Sequence, residues 1–192
     1  MLNAYFTTEE LNQLGFAQVG LEVKVSRKVS VYNPNKISIG DFTRIDDFCV
    51  LSAGEGGIEI GHHVHIAVFA LLIGKGRIKV GDFVNLSSRV AVYSSNDDYS
   101  GEYMAGPVVD KKYTNITSAP VYIGKHSIIG SGSVILPGIT IGDGVSIGAL
   151  SLINKDCEPF KVYAGIPAKL IKDRSTRLLE LEKQFLEKDG RE

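Results

Sequence analysis

Residues able to do chemistry gather in two parts of the sequence. The first is a segment from 93 to 122 that contains YSSNDDYSGEYMAGP. There Asp97, Asp98 and Glu102 stand among Tyr93, Tyr99 and Tyr103. A carboxylate held near a reacting group accepts a proton, and it can equally bind an ammonium. The second part is discontinuous: Arg44, Asp46, Asp47, His65, Asn85 and the pair Ser87-Ser88. Three of the four histidines, His62, His63 and His65, fall within four positions, with His126 far along the chain. That cluster raises the question of a metal, which depends on the elements that carry it.

Those elements follow a six-residue beat. Ile123, Ile129, Ile135, Ile141, Ile147 and Ile153 recur every sixth position, and Ser127, Ser133, Ile139, Val145 and Ser151 stand four residues after the first five. Neither a helix nor an alternating strand makes this pattern. A short strand followed by a sharp corner does, and three of each close a triangular coil. Upstream triplets keep the beat: Val19, Val25, Val31; Ile39, Ile45, Leu51; Ile60, Ile66, Leu72; Val80, Leu86, Val92. The extra residues between triplets, 2, 3, 2, 25 and then none, all fall after the third strand. The spacing predicts about six coils of a parallel β-helix over 19–159, with an extruded loop at 93–122. At about 4.8 Å per coil the prism is roughly 29 Å tall.

The register sorts outward residues by face. The first carries Gln18, Ser38, Glu59, Lys79, Tyr122 and Thr140; the second Lys24, Arg44, His65, Asn85, Ile128 and Ser146. The third carries Ser30, Val50, Leu71, Ala91, Val134 and Leu152, an apolar stripe that marks an interface between copies. A threefold ring suits a triangular prism. Cys49 and Cys157 fall on inward positions four after an aliphatic and read as buried, inert thiols. His126 shares a column with His63 two coils away, about 9.6 Å by strand spacing. Two ligands on one zinc span only roughly 4 Å, so no metal is expected.

Residues 1–18 read as an N-terminal helix cap, with Thr7 and Glu10 forming a capping box for a helix from Thr8 to Leu14 ended by Gly15. Residues 160–192 read as a C-terminal loop and helix. The segment Tyr163 to Lys169 is a Gly/Pro turn, and the helix from Ser175 or Thr176 to Lys188 carries Leu178, Leu181 and Phe185 on one face. Both helices are expected to cap the solenoid's ends. The whole chain is one domain, 1–192.

Composition excludes several classes. Lys+Arg number 21 and Asp+Glu 22 in 192 residues, so global charge predicts no nucleic-acid or anionic-membrane partner. The longest apolar run, Ile66 to Ile73, is too short to span a bilayer. Met1 to Glu10 does not read as a secretory leader, and two cysteines suit a reducing cytoplasm.

The corner after the second strand changes along the prism. It reads Asp46-Asp47-Phe48, then Ala67-Val68-Phe69, then Ser87-Ser88-Arg89, Gly130-Ser131-Gly132 and Gly148-Ala149-Leu150. Small residues there leave a groove with reachable N–H groups, wide enough for a thin, amide-bearing ligand such as a pantetheine arm.

IGKHSIIGSGSVILPGITIGDGVSIGALSLI, followed by YAGIPAKLI, resembles the left-handed β-helix acyltransferases with hexapeptide repeats. AYFTTEELNQLGF, SIGDFTRIDDFCVLS and DFVNLSSR followed by YSSNDDYSG are similar to a narrower group. These are N-acyltransferases acting on dTDP-4-amino-4,6-dideoxy-hexoses, the anthrose-pathway type. The resemblance implies left-handed coiling, a cytoplasmic homotrimer, acetyl-CoA or another acyl-CoA as donor, no metal, and a nucleotide-linked amino sugar as acceptor for surface glycan synthesis.

It also implies roles. Asp97 and Ser87 match acceptor-side residues and are the catalytic candidates. Arg44, Asp46, Asp47, His65, Asn85, Ser88, Asp98 and Glu102 are candidates for the sugar or nucleotide. Gly130, Ser131, Asp143, Gly148, Ala149, Gly165, Pro167 and Lys169 are candidates for coenzyme A. N–H groups near Gly130 or Ser131 are placed to hold a thioester oxyanion. Many O-acetyltransferases of this fold present a loop His as base; this loop has none. An alcohol needs a base as it attacks, whereas a neutral amine does not. An amine acceptor is therefore favoured. The competing readings are an O-acetyltransferase on a sugar or antibiotic and a ligand-binding trimer without activity.

Overall fold

The computed structural model describes residues 4–188. Three parallel sheets wrap a common core, and each coil gives one strand to each sheet. The fourth coil, for example, runs Ile78–Val80, Asn85–Leu86 and Ala91–Tyr93. The register pairs Gln18 with Ser38, Lys24 with Arg44 and Ser30 with Val50, so the outward rows on all three faces stand as the hexad count places them. Inward positions are the core: Ile45, Leu51, Ile66, Leu72, Leu86, Val92, Ile129 and Ile135 have no exposed surface. Cys49 and Cys157 are buried among them, and burial pushes both thiols up to about 11.

Six coils are complete, and a shortened seventh follows. Ile141 bridges Cys157, sixteen residues on rather than the eighteen of a full coil. Cys157 therefore takes the first aliphatic position of that last coil, not the fourth place after Ile153 expected from the beat. The missing residues come out at the corner after the third strand, where the earlier coils carry their insertions. The Gly/Pro segment is also more than a turn. Lys161–Gly165 continues the second sheet beside Ser146–Ile147 and pairs antiparallel with Ala168–Asp173.

Helix α1 spans Thr8–Gln13, with Thr7 and Glu10 exchanging the two bonds of a capping box. Helix α2 spans Arg177–Lys188. It does not close an end of the prism. It lies along one edge, with Leu178, Leu181 and Phe185 against His63, Phe83 and His126. Arg174 anchors the approach, donating from Nη1 to the carbonyls of His126, Gly144 and Val145 at 2.9–3.2 Å.

The extruded loop has structure of its own. Ser95–Asn96 pairs antiparallel with Thr117–Ser118, and a short 3₁₀ turn spans Lys111–Tyr113. Tyr99, Met104, Val108 and Tyr113 remain exposed on it.

Candidate active site

Two of the prism's edges use one backbone turn for opposite ends. At the edge between the first and second sheets, side chains of one coil cap amides of the coil before. The Leu21 N–H donates to Asp41 Oδ1 at 2.7 Å, and the Asp41 N–H to His62 Nδ1 at 3.0 Å. The His62 N–H donates to Asp82 Oδ1 and the Lys125 N–H to Asp143 Oδ1, each at 2.8 Å. Beside this ladder Phe42, His63, Phe83 and His126 stack ring on ring at 4.8–5.0 Å. Phe185 of α2 meets His63 and Phe83 edge-on. Glu182 accepts from His126 Nε2 at 2.8 Å and pairs with Lys125. Burial alone would push the Glu182 carboxyl up; hydrogen bonds and charges from Lys125 and His126 outweigh it and hold it below its ordinary value. Phe83 lies between the rings of His63 and His126, and among the described residues no three acidic, His or Cys side chains form a metal-sized cluster.

At the edge between the second and third sheets no side chain of the following coil caps the equivalent amides among the described residues, though Ser133 Oγ accepts from the Ser151 N–H at 3.2 Å. In the first coil the Arg27 N–H reaches the Ala4 carbonyl. At Val68, Ser88, Ser131 and Ala149 the N–H finds no acceptor among the described residues. The turns are closed by other bonds: Gly132 N–H to Ser88 O at 3.0 Å, Leu150 N–H to Ser131 O at 2.9 Å. The Gly130 N–H is occupied by the Ile147 carbonyl at 2.8 Å. Of the two oxyanion donors expected from the sequence, only Ser131 is therefore available. Gly130 is small for a structural reason, because a Cβ there would stand 2.4 Å from the Ala149 nitrogen. Gly132, at φ +72°, supplies the left-handed residue of its turn.

Ser87 is half-buried on this open edge, two residues from Asn85. On the sheet beside it a polar chain crosses three coils. Arg44 Nε donates to Asp46 Oδ1 at 2.6 Å, His65 Nε2 lies 2.9 Å from Asp46 Oδ2, and His65 Nδ1 lies 2.9 Å from Asn85 Oδ1. Burial raises the Asp46 carboxyl, but hydrogen bonds from His65 and Arg44 more than reverse it, and the group stays ionised below its ordinary range. The hairpin tip joins the far end of the same edge. The Gly165 N–H donates to Ser151 Oγ at 3.1 Å, Ala164 packs over Gly148, and Pro167 and Lys169 are exposed.

The structure thus assembles Ser87, Ser88, Ser131, Gly148, Ala149 and Gly165 along one edge with Arg44, Asp46, His65 and Asn85 beside it. Gly130 stands on the same edge with its amide occupied, and the hairpin tip carries Pro167 and Lys169 there; the five remaining carboxylate candidates are not brought to the row. Asp143 belongs to the capped edge, on the other side of the second sheet. Asp47 is drawn back to the first coils by the Ser26 hydroxyl and by Lys28 Nζ at 2.8 Å. Asp98 organises the loop, accepting from Ser100 Oγ at 2.9 Å and the Gly101 N–H at 2.8 Å. Glu102 is exposed. Asp97 is half-buried, and its carboxylate has no partner among the described residues. It follows Ser95, whose Oγ accepts from the Lys75 N–H at 3.2 Å beyond the far edge of the third sheet. Within one chain, Asp97 and Ser87 stand at opposite edges of that sheet. Arg89, on the open edge, is a further functional candidate that no sequence motif marks.

A three-sided parallel β-solenoid is the fold of the hexapeptide-repeat acyltransferases, and the chain belongs to that family. The profile described as bacterial transferase hexapeptide (six repeats) matches residues 120–155. The chain is 55% identical over 182 residues to a dTDP-4-amino-4,6-dideoxy-D-glucose acyltransferase of Escherichia coli, covering 95% of each chain. The structure of AntD, an N-acyltransferase from Bacillus cereus in complex with dTDP and 3-hydroxybutyryl-CoA, superimposes with a TM-score of 0.93 at 41% identity, over 98% of this chain and 100% of that one. A galactoside O-acetyltransferase of Escherichia coli is more distant, 27% identical over 80% of this chain and 72% of its own.

Proposed function

We propose that the protein is an acyl-CoA-dependent N-acyltransferase that modifies the amino group of a nucleotide-linked amino sugar. The acceptor is a dTDP-4-amino-4,6-dideoxy-hexose, made in the cytoplasm for surface glycan synthesis. The observation that carries this reading is the row of unpaired amides at Ser88, Ser131 and Ala149 beside Ser87. It lies in a chain that shares 41% of its sequence, over nearly its whole length, with an enzyme bound to dTDP and an acyl-CoA.

The pantetheine arm lies along the open edge, its amides meeting those unpaired N–H groups, with the hairpin tip at Gly165, Pro167 and Lys169 closing over its path. The sugar occupies the second face, in reach of Ser87, Arg44, His65 and Asn85. The amine attacks the thioester carbonyl, forming the C–N bond. The developing oxyanion takes the Ser131 N–H, a donor already fixed in place by its turn. The C–S bond then breaks, and coenzyme A leaves as thiolate. The ammonium proton passes to Asp97 or to the departing sulfur, giving amide and free thiol.

Asp97 serves the site from a neighbouring copy. Its unpaired carboxylate and Ser87 lie at opposite edges of the apolar third face, so packing that face into a homotrimer carries the loop of one copy to the open edge of the next. The test is to incubate the protein with acetyl-CoA and a panel of dTDP- and UDP-linked amino sugars and to follow thiol release. Release dependent on a dTDP-4-amino sugar supports the reading. Release only with a hydroxyl acceptor, or none with any, overturns it.

A further inference from the structure

The corners of the open edge carry three cations, and their partners differ. Arg27 pairs with Glu10 at 2.5 Å, and Lys28 pairs with Asp47 at 2.8 Å. Arg44, on the adjacent face, pairs with Asp46 at 2.6 Å. Arg89 has no carboxylate partner among the described residues. Its guanidinium carbon lies 6.0 Å above the centroid of Phe69, which itself stacks on Phe48 at 5.1 Å. At that distance the ring attracts the head group weakly and does not neutralise it.

The backbone around it carries open amides. Arg89 holds a left-handed conformation, φ 62°, as do Phe48, Phe69 and Leu150 at the same corner of other coils. Its neighbour Ser88 keeps an N–H without an acceptor, and the next coil repeats this at Ser131. Above Arg89 in its column stands Gly132, with no side chain. A guanidinium without a carboxylate partner among the described residues, beside open amides on a small-residue edge, suits an oxyanion.

We propose that Arg89 binds the diphosphate of a nucleotide sugar. Both substrates of the proposed reaction carry a diphosphate, and the distance decides between them. In coenzyme A the whole pantetheine arm separates it from the thioester. In the acceptor it leaves C1, one pyranose ring from the amine at C4. Ser87 and Arg89 are two residues apart, at most about 7 Å between Cα atoms. That matches a sugar ring and not a pantetheine arm. The assignment rests on the reading that Ser87 faces the acceptor amine.

Calorimetric titration of the full-length protein with dTDP, and separately with coenzyme A, tests it in the wild type, Arg89→Gln and Arg89→Lys. Arg89→Gln weakens dTDP about tenfold or more, on the scale of a lost charge-assisted hydrogen bond. Arg89→Lys recovers part of that, because it keeps the charge but not the fork. Coenzyme A binds all three alike, which also shows that the variants fold. Undiminished dTDP binding by Arg89→Gln overturns the assignment and leaves Arg89 as a solvated cap on Phe69. Weakened coenzyme A with intact dTDP overturns it in favour of the donor's diphosphate. A wild type that binds neither ligand overturns the acceptor reading itself, and the Arg89 assignment with it.

Discussion

The two edges that flank the second sheet have the same turn and opposite fates. On the capped edge, Asp41, His62, Asp82 and Asp143 each take an amide from the coil before, which leaves the Asp82 and Asp143 amides without an acceptor among the described residues, and α2 packs on the stacked rings beside them. On the open edge, the equivalent amides at Val68, Ser88, Ser131 and Ala149 have no acceptor among the described residues. An unsatisfied amide is tolerable only where water or a ligand meets it. The contrast teaches that in a repeat fold, function is written where a regular structural device is withheld. The backbone of both edges is the same scaffold; the side chain that would have capped it is what differs.

The comparison breaks most sharply at Asp97 and Asp98, adjacent carboxylates with opposite surroundings. Asp97→Asn should lower kcat about 100-fold or more if Asp97 accepts the ammonium proton. Asp98→Asn should loosen the loop and cost far less, since its oxygens already face Ser100 and Gly101. Equal and negligible effects on steady-state kcat would leave the departing sulfur as the proton acceptor.

Ser131→Pro isolates a single open amide. Ser131 precedes the left-handed Gly132, and the Ser133 N–H closes the turn on Gly130 O at 3.3 Å, which is the position where proline is favoured. Pro137 before Gly138, at φ +82°, fills the same place at another corner. The variant should fold and should lose about 100-fold in kcat, the scale of one oxyanion donor. An unchanged kcat removes Ser131 from the transition state.

Effects on the capped edge should be in stability instead. Asp143→Ala removes the cap on the Lys125 N–H and should cost about 1 kcal/mol in denaturant unfolding. The KM for acyl-CoA should not move, because Asp143 stands on the wrong edge to touch it. A raised KM with unchanged stability would return Asp143 to the cofactor site.

The smallest effect is a pH dependence. The folded Glu182 carboxyl is held below its ordinary value of 4.5 by Lys125 and His126, against the burial that opposes it. Unfolding then releases a group that binds protons more readily, so its contribution is present above pH 4.5 and fades as pH falls through the lower folded value. Its side chain is only 11% exposed, so solvent screens the pairing weakly. The melting temperature of Glu182→Gln should vary less than that of the wild type between pH 5 and pH 3. Parallel curves would deny Glu182 any part in holding α2.

The coil was legible because one inward aliphatic every sixth residue is a repeated constraint, read many times over. The N-terminal cap was legible because Thr7 and Glu10 are a local pair. What escaped depended on contacts between coils. Asp143 and Asp97 are both carboxylates beside small residues in sequence, yet one caps an amide eighteen residues back and the other caps nothing. The expectation of a free Gly130 amide failed for the same reason, since its partner Ile147 sits one coil away. Placing α2 on an edge instead of an end required knowing that Phe42, His63, Phe83 and His126 align into one column. Arg89 was hidden because being unpaired is a property of its surroundings and has no motif.

Amide hydrogen exchange with and without coenzyme A tests the central claim most directly. The account predicts that the amides of Ser88, Ser131 and Ala149 exchange fast in the free protein and slow on binding, while those of Leu21, His62 and Lys125 stay as they were. Slowing confined to the capped edge, with the open row still exchanging freely under saturating coenzyme A, would contradict it.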